Sequence, residues 1–99
     1  MRLSTDQQRV IRQTTHELLG PTARVRLFGS RLDDSVRGGD IDLLVEVQYP
    51  VEHPARTAAA LAATLSRRLS GRSVDVVIAA PNLRRLSIHD LAARDGVPL

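Results

Sequence analysis

The sequence contains no cysteine and no lysine, and only two of its 99 residues are aromatic. Without cysteine the chain has no disulfide, no thiolate-ligated zinc site and no cysteine nucleophile. The aromatic residues are Phe28 and Tyr49. So few aromatic rings argue against a nucleic-acid-binding domain, because proteins that hold single strands stack the bases on several rings.

Long hydrophobic runs are also absent, which argues against a membrane-spanning segment. The N-terminal residues Met1 to Ser4 do not resemble a signal peptide. We therefore expect a cytoplasmic protein with one domain over residues 1–99 and a modest hydrophobic core. The net charge of +3, carried on the basic side by arginine alone, favours an anionic ligand or partner.

Hydrophobic periodicity predicts two long helices, over residues 4–19 and 54–69, and a short one over 87–94. Ser4 and Gln7 fit a capping box at the start of the first helix, and Gly20 and Pro21 follow its end. Two apolar faces are expected to be buried: Val10, Ile11, Thr14 and Leu18 in the first helix; Ala58, Leu61, Ala62, Leu65 and Leu69 in the second.

Three apolar segments predict strands, over residues 24–28, 41–47 and 73–80. The second is apolar on both faces except near Asp40, which is typical of a strand in a sheet with helices above and below. The predicted fold class is α/β (α+β): a small mixed β-sheet flanked by helices.

Carboxylates stand where two of these strands begin. Asp40 and Asp42 are two residues apart, so on a strand they share a face. Two such carboxylates repel each other and oppose burial, and a divalent cation such as Mg²⁺ relieves both costs. Asp75 enters the third strand in the same way and is a candidate third carboxylate. Gly29-Ser30 follows the first strand and offers backbone N–H groups and a hydroxyl to phosphate oxygens.

These residues resemble a known family. Phe28-Gly29-Ser30, nine further residues, Asp40-Ile41-Asp42-Leu43 and a later strand carrying Asp75 are similar to the pattern of the nucleotidyltransferase superfamily of DNA polymerase β. The resemblance spans residues 25–79. The small size is similar to the minimal nucleotidyltransferase branch, whose members are commonly paired with an all-helical HEPN protein as a toxin–antitoxin module.

The resemblance implies a polymerase β-like fold and the transfer of a nucleoside monophosphate, AMP from ATP, to an acceptor hydroxyl. Asp40, Asp42 and Asp75 would be the catalytic carboxylates and would hold two Mg²⁺ ions. Gly29 and Ser30 would bind the β- and γ-phosphates of the nucleoside triphosphate. Arg31 would add a phosphate contact, because a guanidinium binds phosphate in bidentate fashion.

The resemblance also implies a partner. The acceptor would lie on a HEPN-type toxin, or a second subunit would complete the acceptor pocket, so a homo- or hetero-oligomer is expected. Two alternatives stay open at this point. The chain could be a non-catalytic antitoxin that neutralises a helical partner by contact, or, on its charge and arginine content, a nucleic-acid-binding domain whose affinity falls steeply with salt.

Overall fold

Two helices and four strands are present in a computed structural model of the protein, which describes residues 3–28, 41–83 and 96–99. In chain order they are α1 (Thr5–Leu19), β1 (Arg24–Phe28), β2 (Ile41–Glu46), α2 (Pro54–Arg68), β3 (Val74–Ala79) and β4 (Val97–Pro98). The helix predicted over residues 87–94 lies outside the described residues.

The capping box predicted for α1 is confirmed. The backbone N–H of Gln7 donates to the Ser4 hydroxyl at 3.1 Å, and the backbone N–H of Ser4 donates to the Gln7 side-chain oxygen at 2.8 Å. These two bonds pair N–H groups that have no partner within the helix. Leu3, just before the cap, is buried in the core.

The predicted burial of Ile11 and Thr14 in α1 is confirmed, and the prediction for Leu18 is wrong, because this residue is 48% exposed. Thr14 and Thr15 are both fully buried, and Thr15 was not predicted to be. Both threonine oxygens have partners: the Thr15 hydroxyl donates to the Ile11 carbonyl at 2.8 Å, and the Thr14 oxygen accepts from Arg68 at 2.9 Å. A hydrogen-bonded threonine can be buried at low cost. The remaining buried residues of this helix are Ile11 and Leu19.

Helix α2 ends at Arg68 rather than at Leu69, and Ala58 and Ala62 of its predicted buried face are only partly buried. Pro54 lies in its first turn, and Leu61 and Leu65 are fully buried. Leu69 is the C-terminal cap, and its N–H donates to the Leu65 carbonyl at 2.9 Å. Arg68 links α2 to α1. Its guanidinium donates to the Thr14 hydroxyl oxygen and to the Glu17 carboxylate, both at 2.9 Å.

The sheet is mixed, as predicted, with the strand order β3-β2-β1-β4. β1 pairs antiparallel with β2 and β4, and β2 pairs parallel with β3. α2 lies between β2 and β3 in the chain and makes the crossover that a parallel pair requires. β2 ends at Glu46 rather than at residue 47, and β3 spans 74–79 rather than 73–80.

β4 was not predicted from the sequence. Val97 and Pro98 follow the last predicted helix in the chain, and both pair with β1. Pro98 suits a sheet edge, because it has no N–H to leave unpaired. The N–H of Leu99 continues the pairing by donating to the Val25 carbonyl at 2.9 Å.

The main core lies on one face of this sheet. Ile41, Leu43 and Val45 of β2 are fully buried there. The same cluster contains residues of both described helices and of the neighbouring strands: Ile11, Leu19, Val25, Leu27, Leu61, Leu65, Val74 and Ile78. The two described helices therefore share this face. The third predicted helix, over residues 87–94, lies outside the described residues, so helices on both faces remain a prediction. Leu44 is buried on the opposite face, between Asp42 and Glu46.

Two side chains fix the loops at the far end of β2. Asn82 accepts from the Val51 N–H at 2.9 Å and donates to the Val51 carbonyl at 2.8 Å. The Tyr49 hydroxyl donates to the Leu19 carbonyl at 2.7 Å. Together these bonds join the segment after β2 to the turn after β3 and to the end of α1.

Candidate active site

Of the six residues predicted to form the site, the structure describes Asp42 and Asp75. The other four lie outside the described residues: Gly29, Ser30, Arg31 and Asp40. The described part of the site therefore consists of these two carboxylates and the strand ends that carry them.

Asp42 and Asp75 are register partners on the neighbouring parallel strands β2 and β3. Each is the second residue of its strand. Neighbouring strands lie about 4.8 Å apart, and aligned residues of a parallel pair project to the same face. The two carboxylates therefore lie side by side at the end of the sheet where β2 and β3 begin. Asp42 is partly buried and Asp75 is exposed.

β1 reaches the same end of the sheet. Phe28, its last residue, is the antiparallel partner of Asp42. Phe28 is also the residue directly before Gly29 in the sequence. β1 thus ends beside the start of β2, which carries Asp42 of the Asp-x-Asp pattern. The family pattern requires a phosphate-binding turn next to a pair of carboxylates, and the placement of these two strands agrees with it.

Apolar pairs on the core face hold the two carboxylates in this register. Ile41 is aligned with Val74, and Leu43 with Val76, all on the face that packs against the helices. The N–H of Ile41 donates to the Ser73 carbonyl at 2.9 Å. A slip of one residue would turn the aspartates into the core and the apolar residues out of it, so burial strongly favours this pairing.

The two carboxylates suit a divalent cation of the Mg²⁺ type. Such a cation takes oxygen ligands and is typically held by one or two carboxylates together with substrate phosphates. Asp42 and Asp75 supply oxygens from adjacent positions on one face. Among the described residues, no group of three or more aspartate, glutamate, histidine or cysteine side chains could hold a metal ion, and the third predicted ligand, Asp40, lies outside them.

Glu46 shares the face of Asp42 but has a structural partner. Its carboxylate accepts from the Nε of Arg26 at 3.0 Å, and both side chains are about 30% exposed, at 32% and 29%. Glu46 is not among the predicted site residues, and this ion pair occupies its carboxylate within the sheet. Glu46 lies four residues along β2 from Asp42, at the opposite end of the strand.

The described histidines lie away from the two aspartates. The Nε2 of His16 is 3.1 Å from the Ala23 carbonyl oxygen, in the turn before β1. His53 precedes α2 and makes no side-chain capping bond to it.

A depression at the other end of β1 was not predicted from the sequence. It is lined by Pro21, Thr22, Ala23, Arg24 and Gln48. These residues offer one charged group and no acid–base pair.

Comparison of the chain with protein-family models, curated proteins and solved structures finds no match in any of the three. The resemblance to nucleotidyltransferases therefore rests on the residues of the pattern and on the placement of Asp42 and Asp75. No helix in the described ranges has the length and apolar character needed to cross a bilayer.

Proposed function

We propose that this protein is a Mg²⁺-dependent nucleotidyltransferase that transfers AMP from ATP to an acceptor hydroxyl. The observation that supports this proposal is the register of β2 and β3, which aligns Asp42 with Asp75. The sequence separates these residues by a helix and two loops. A pair of carboxylates on one face, at the end of the sheet that β1 reaches, is the arrangement that the pattern requires.

The proposed reaction exchanges a phosphoanhydride bond of ATP for a phosphoester bond to the acceptor. The acceptor hydroxyl gives up its proton to solvent as its oxygen attacks the α-phosphorus, the bond from that phosphorus to the oxygen shared with the β-phosphate breaks, and pyrophosphate leaves. When bound, Mg²⁺ supplies positive charge to the attacking and leaving oxygens. The chain's own part is to position groups and offset charge, which is the larger part of catalysis in phosphoryl transfer.

The two described carboxylates differ in exposure, and this difference supports different roles. Asp42 is partly buried beside Phe28, so we assign it to hold the metal. Asp75 is exposed, so an acceptor can reach it, and we assign it to complete the metal site and orient the acceptor hydroxyl. Asp40 would be the third ligand, and Gly29, Ser30 and Arg31 would bind the phosphates.

The acceptor in this proposal is a hydroxyl on a helical HEPN-type toxin, which AMP transfer would neutralise. This part rests on family resemblance, a weaker basis than the chemistry of the site. The described residues form one sheet with two helices on one face. A bound nucleotide beside Asp42 and Asp75 would face away from that core, and we assign the presentation of the acceptor on that side to a partner chain.

The test co-expresses the chain with a candidate helical toxin and measures cell growth and the intact mass of the toxin. The variants are Asp42→Asn and, as a matched control from the same strand and face, Glu46→Gln. We expect the wild type and Glu46→Gln to restore growth and add one nucleotide to the toxin, and Asp42→Asn to do neither while still binding it. Restored growth with Asp42→Asn and an unmodified toxin would instead identify a non-catalytic binding module.

A further inference from the structure

In the described part of the sheet, the outer strand β4 is protected against pairing with another chain, whereas the outer strand β3 has an open side. β4 is two residues long and contains Pro98, and short, proline-containing edge strands resist pairing with other chains. β3 is six residues long, Val-Asp-Val-Val-Ile-Ala, with no proline, glycine or basic residue. In the described residues β3 pairs with β2 on one side only. Asp75 is the one charged residue of this strand, and no proline or glycine interrupts it.

The hydrogen bonds to β2 identify the backbone groups of β3 that point outward. Ile41 donates to the Ser73 carbonyl and Val47 to the Ala79 carbonyl, both at 2.9 Å. In a parallel ladder alternate residues of a strand turn both backbone groups toward the same neighbour. Asp75 and Val77 thus face β2 with their backbone, together with Ser73 and Ala79. The outward N–H and C=O groups belong to the three residues between them: Val74, Val76 and Ile78.

This edge is complementary to itself. In an antiparallel pair of two β3 strands with the twofold axis at Val76, Val76 faces Val76 of the partner subunit and Val74 faces Ile78 of the partner subunit. All three outward residues then form hydrogen-bonded pairs. On the face that carries the aspartates, Asp75 lies opposite Val77 of the partner subunit, so no like charges meet.

Neighbouring registers are less favourable. A twofold axis at Asp75 would place two carboxylates opposite each other, and like charges in directly opposed positions destabilise a strand pair. An axis at Val77 would pair Val74 with Ala80 of the partner subunit, beyond the end of the strand. The axis at Val76 alone pairs all three outward residues of the strand with one another and does not oppose two charges.

From this geometry we propose that two copies of the chain pair antiparallel through β3, with the twofold axis at Val76, and form one continuous sheet. A homodimer made in this way uses the same surface on both copies, which is the commonest form of oligomer. The proposal depends on the edge and its register, and it holds whether or not the chain transfers nucleotides.

Amide hydrogen exchange of the full chain tests the pairing, measured at protein concentrations on both sides of the dimer dissociation constant found by analytical ultracentrifugation. We expect the N–H groups of Val74, Val76 and Ile78 to gain protection only in the dimer. Those of Asp75 and Val77 should be protected at both concentrations. A monomer at all concentrations, or a dimer that leaves the three outward amides unprotected, would overturn the proposal. Protection of these amides in the monomer would overturn it too.

A charge substitution at Val77 tests the register. Val77→Lys places a cation opposite Asp75 of the partner subunit, and Val77→Glu places an anion there. Two such cross-strand pairs per dimer predict that the lysine variant dimerises roughly 10-fold more tightly than the glutamate variant. Overall charge acts in the opposite direction, because lysine raises the net charge above +3 and glutamate lowers it.

Adding Asp75→Asn to each variant provides the control, since it removes the charge that the new side chain faces. We expect the difference between lysine and glutamate to disappear in that background. Equal dimerisation of Val77→Lys and Val77→Glu, or a difference that persists without the Asp75 charge, would exclude the axis at Val76. Circular dichroism of each variant confirms that the comparison is between folded proteins.

Discussion

Asp42 and Glu46 are carboxylates on the same face of β2, but only Asp42 is aligned with a second carboxylate. Glu46 is bound by Arg26. Substitution by the matching amide keeps the size of either side chain and removes its charge. Comparing Asp42→Asn with Glu46→Gln therefore separates the effect of losing the candidate site from the effect of losing any acidic residue on this strand.

We predict that Mg²⁺ and ATP together raise the Tm of the wild type and of Glu46→Gln but not that of Asp42→Asn. A ligand at 100 times its Kd stabilises a protein by about 2.7 kcal/mol. For a chain of this size that corresponds to a rise of roughly 10–20 °C. Thermal unfolding with and without the ligands is the measurement, and equal shifts in all three proteins would argue against a metal–nucleotide site at Asp42.

Asn82 allows a second prediction at the scale of one residue. Asn82→Ala removes the partners of both backbone groups of Val51, a residue that is 6% exposed. Unpaired buried groups cost about 1–3 kcal/mol, and we expect the free energy of unfolding to fall by about that amount in urea denaturation. Thr64→Ala, which removes an exposed hydroxyl bonded to the Ala60 carbonyl, is the control and should change it by less than about 0.5 kcal/mol.

At the scale of the element, the sequence predicted the starts of helices better than their buried faces. Ser4 and Gln7 are local signals, so the capping box could be recognised without knowledge of the fold. The burial of Thr15 and the exposure of Leu18 could not be predicted in this way. They depend on a hydrogen bond to the Ile11 carbonyl and on how α1 packs against the rest of the core. Hydrophobicity alone ranks leucine ahead of threonine.

The leucines of the two helices test this assignment of faces. Leu65 is fully buried and Leu18 is 48% exposed. We predict that Leu65→Ala lowers the free energy of unfolding by about 2–5 kcal/mol because it leaves a cavity, and that Leu18→Ala changes it by less than about 0.5 kcal/mol. Urea unfolding of both variants measures the difference. Similar losses would mean that α1 is rotated from the described position.

Arg67 and Arg68 offer a test of the link between the helices. Both arginines lie in the last turn of α2, where the helix dipole favours a positive charge at either position. The structure separates them, because Arg68 bonds to Thr14 and Glu17 of α1. Arg68→Ala should cost about 1 kcal/mol in unfolding free energy, an amount limited by the exposure of the ion pair. Arg67→Ala should cost less than half of that, and equal effects would favour the dipole alone.

At the scale of the whole molecule, the class of fold could be predicted and the order of its strands could not. Short apolar segments predicted three strands, and the predicted fold class was a small mixed sheet, but pairing between distant segments leaves no local signal. β4 was missed because two residues carry no periodicity. For the site, sequence gave the candidates Asp42 and Asp75, and the structure supplied their alignment across β2 and β3.

ATP labelled on either the α- or the γ-phosphate is the sharpest test of the proposal that this chain transfers a nucleoside monophosphate. Each label is incubated with Mg²⁺, the helical partner and the wild type, Asp42→Asn or Glu46→Gln. We expect only the α label to reach the partner, at a rate at least 100-fold lower with Asp42→Asn, as for loss of one preorganised group at about 3–4 kcal/mol. Transfer from the γ label, or none from either label with the true partner present, would contradict it.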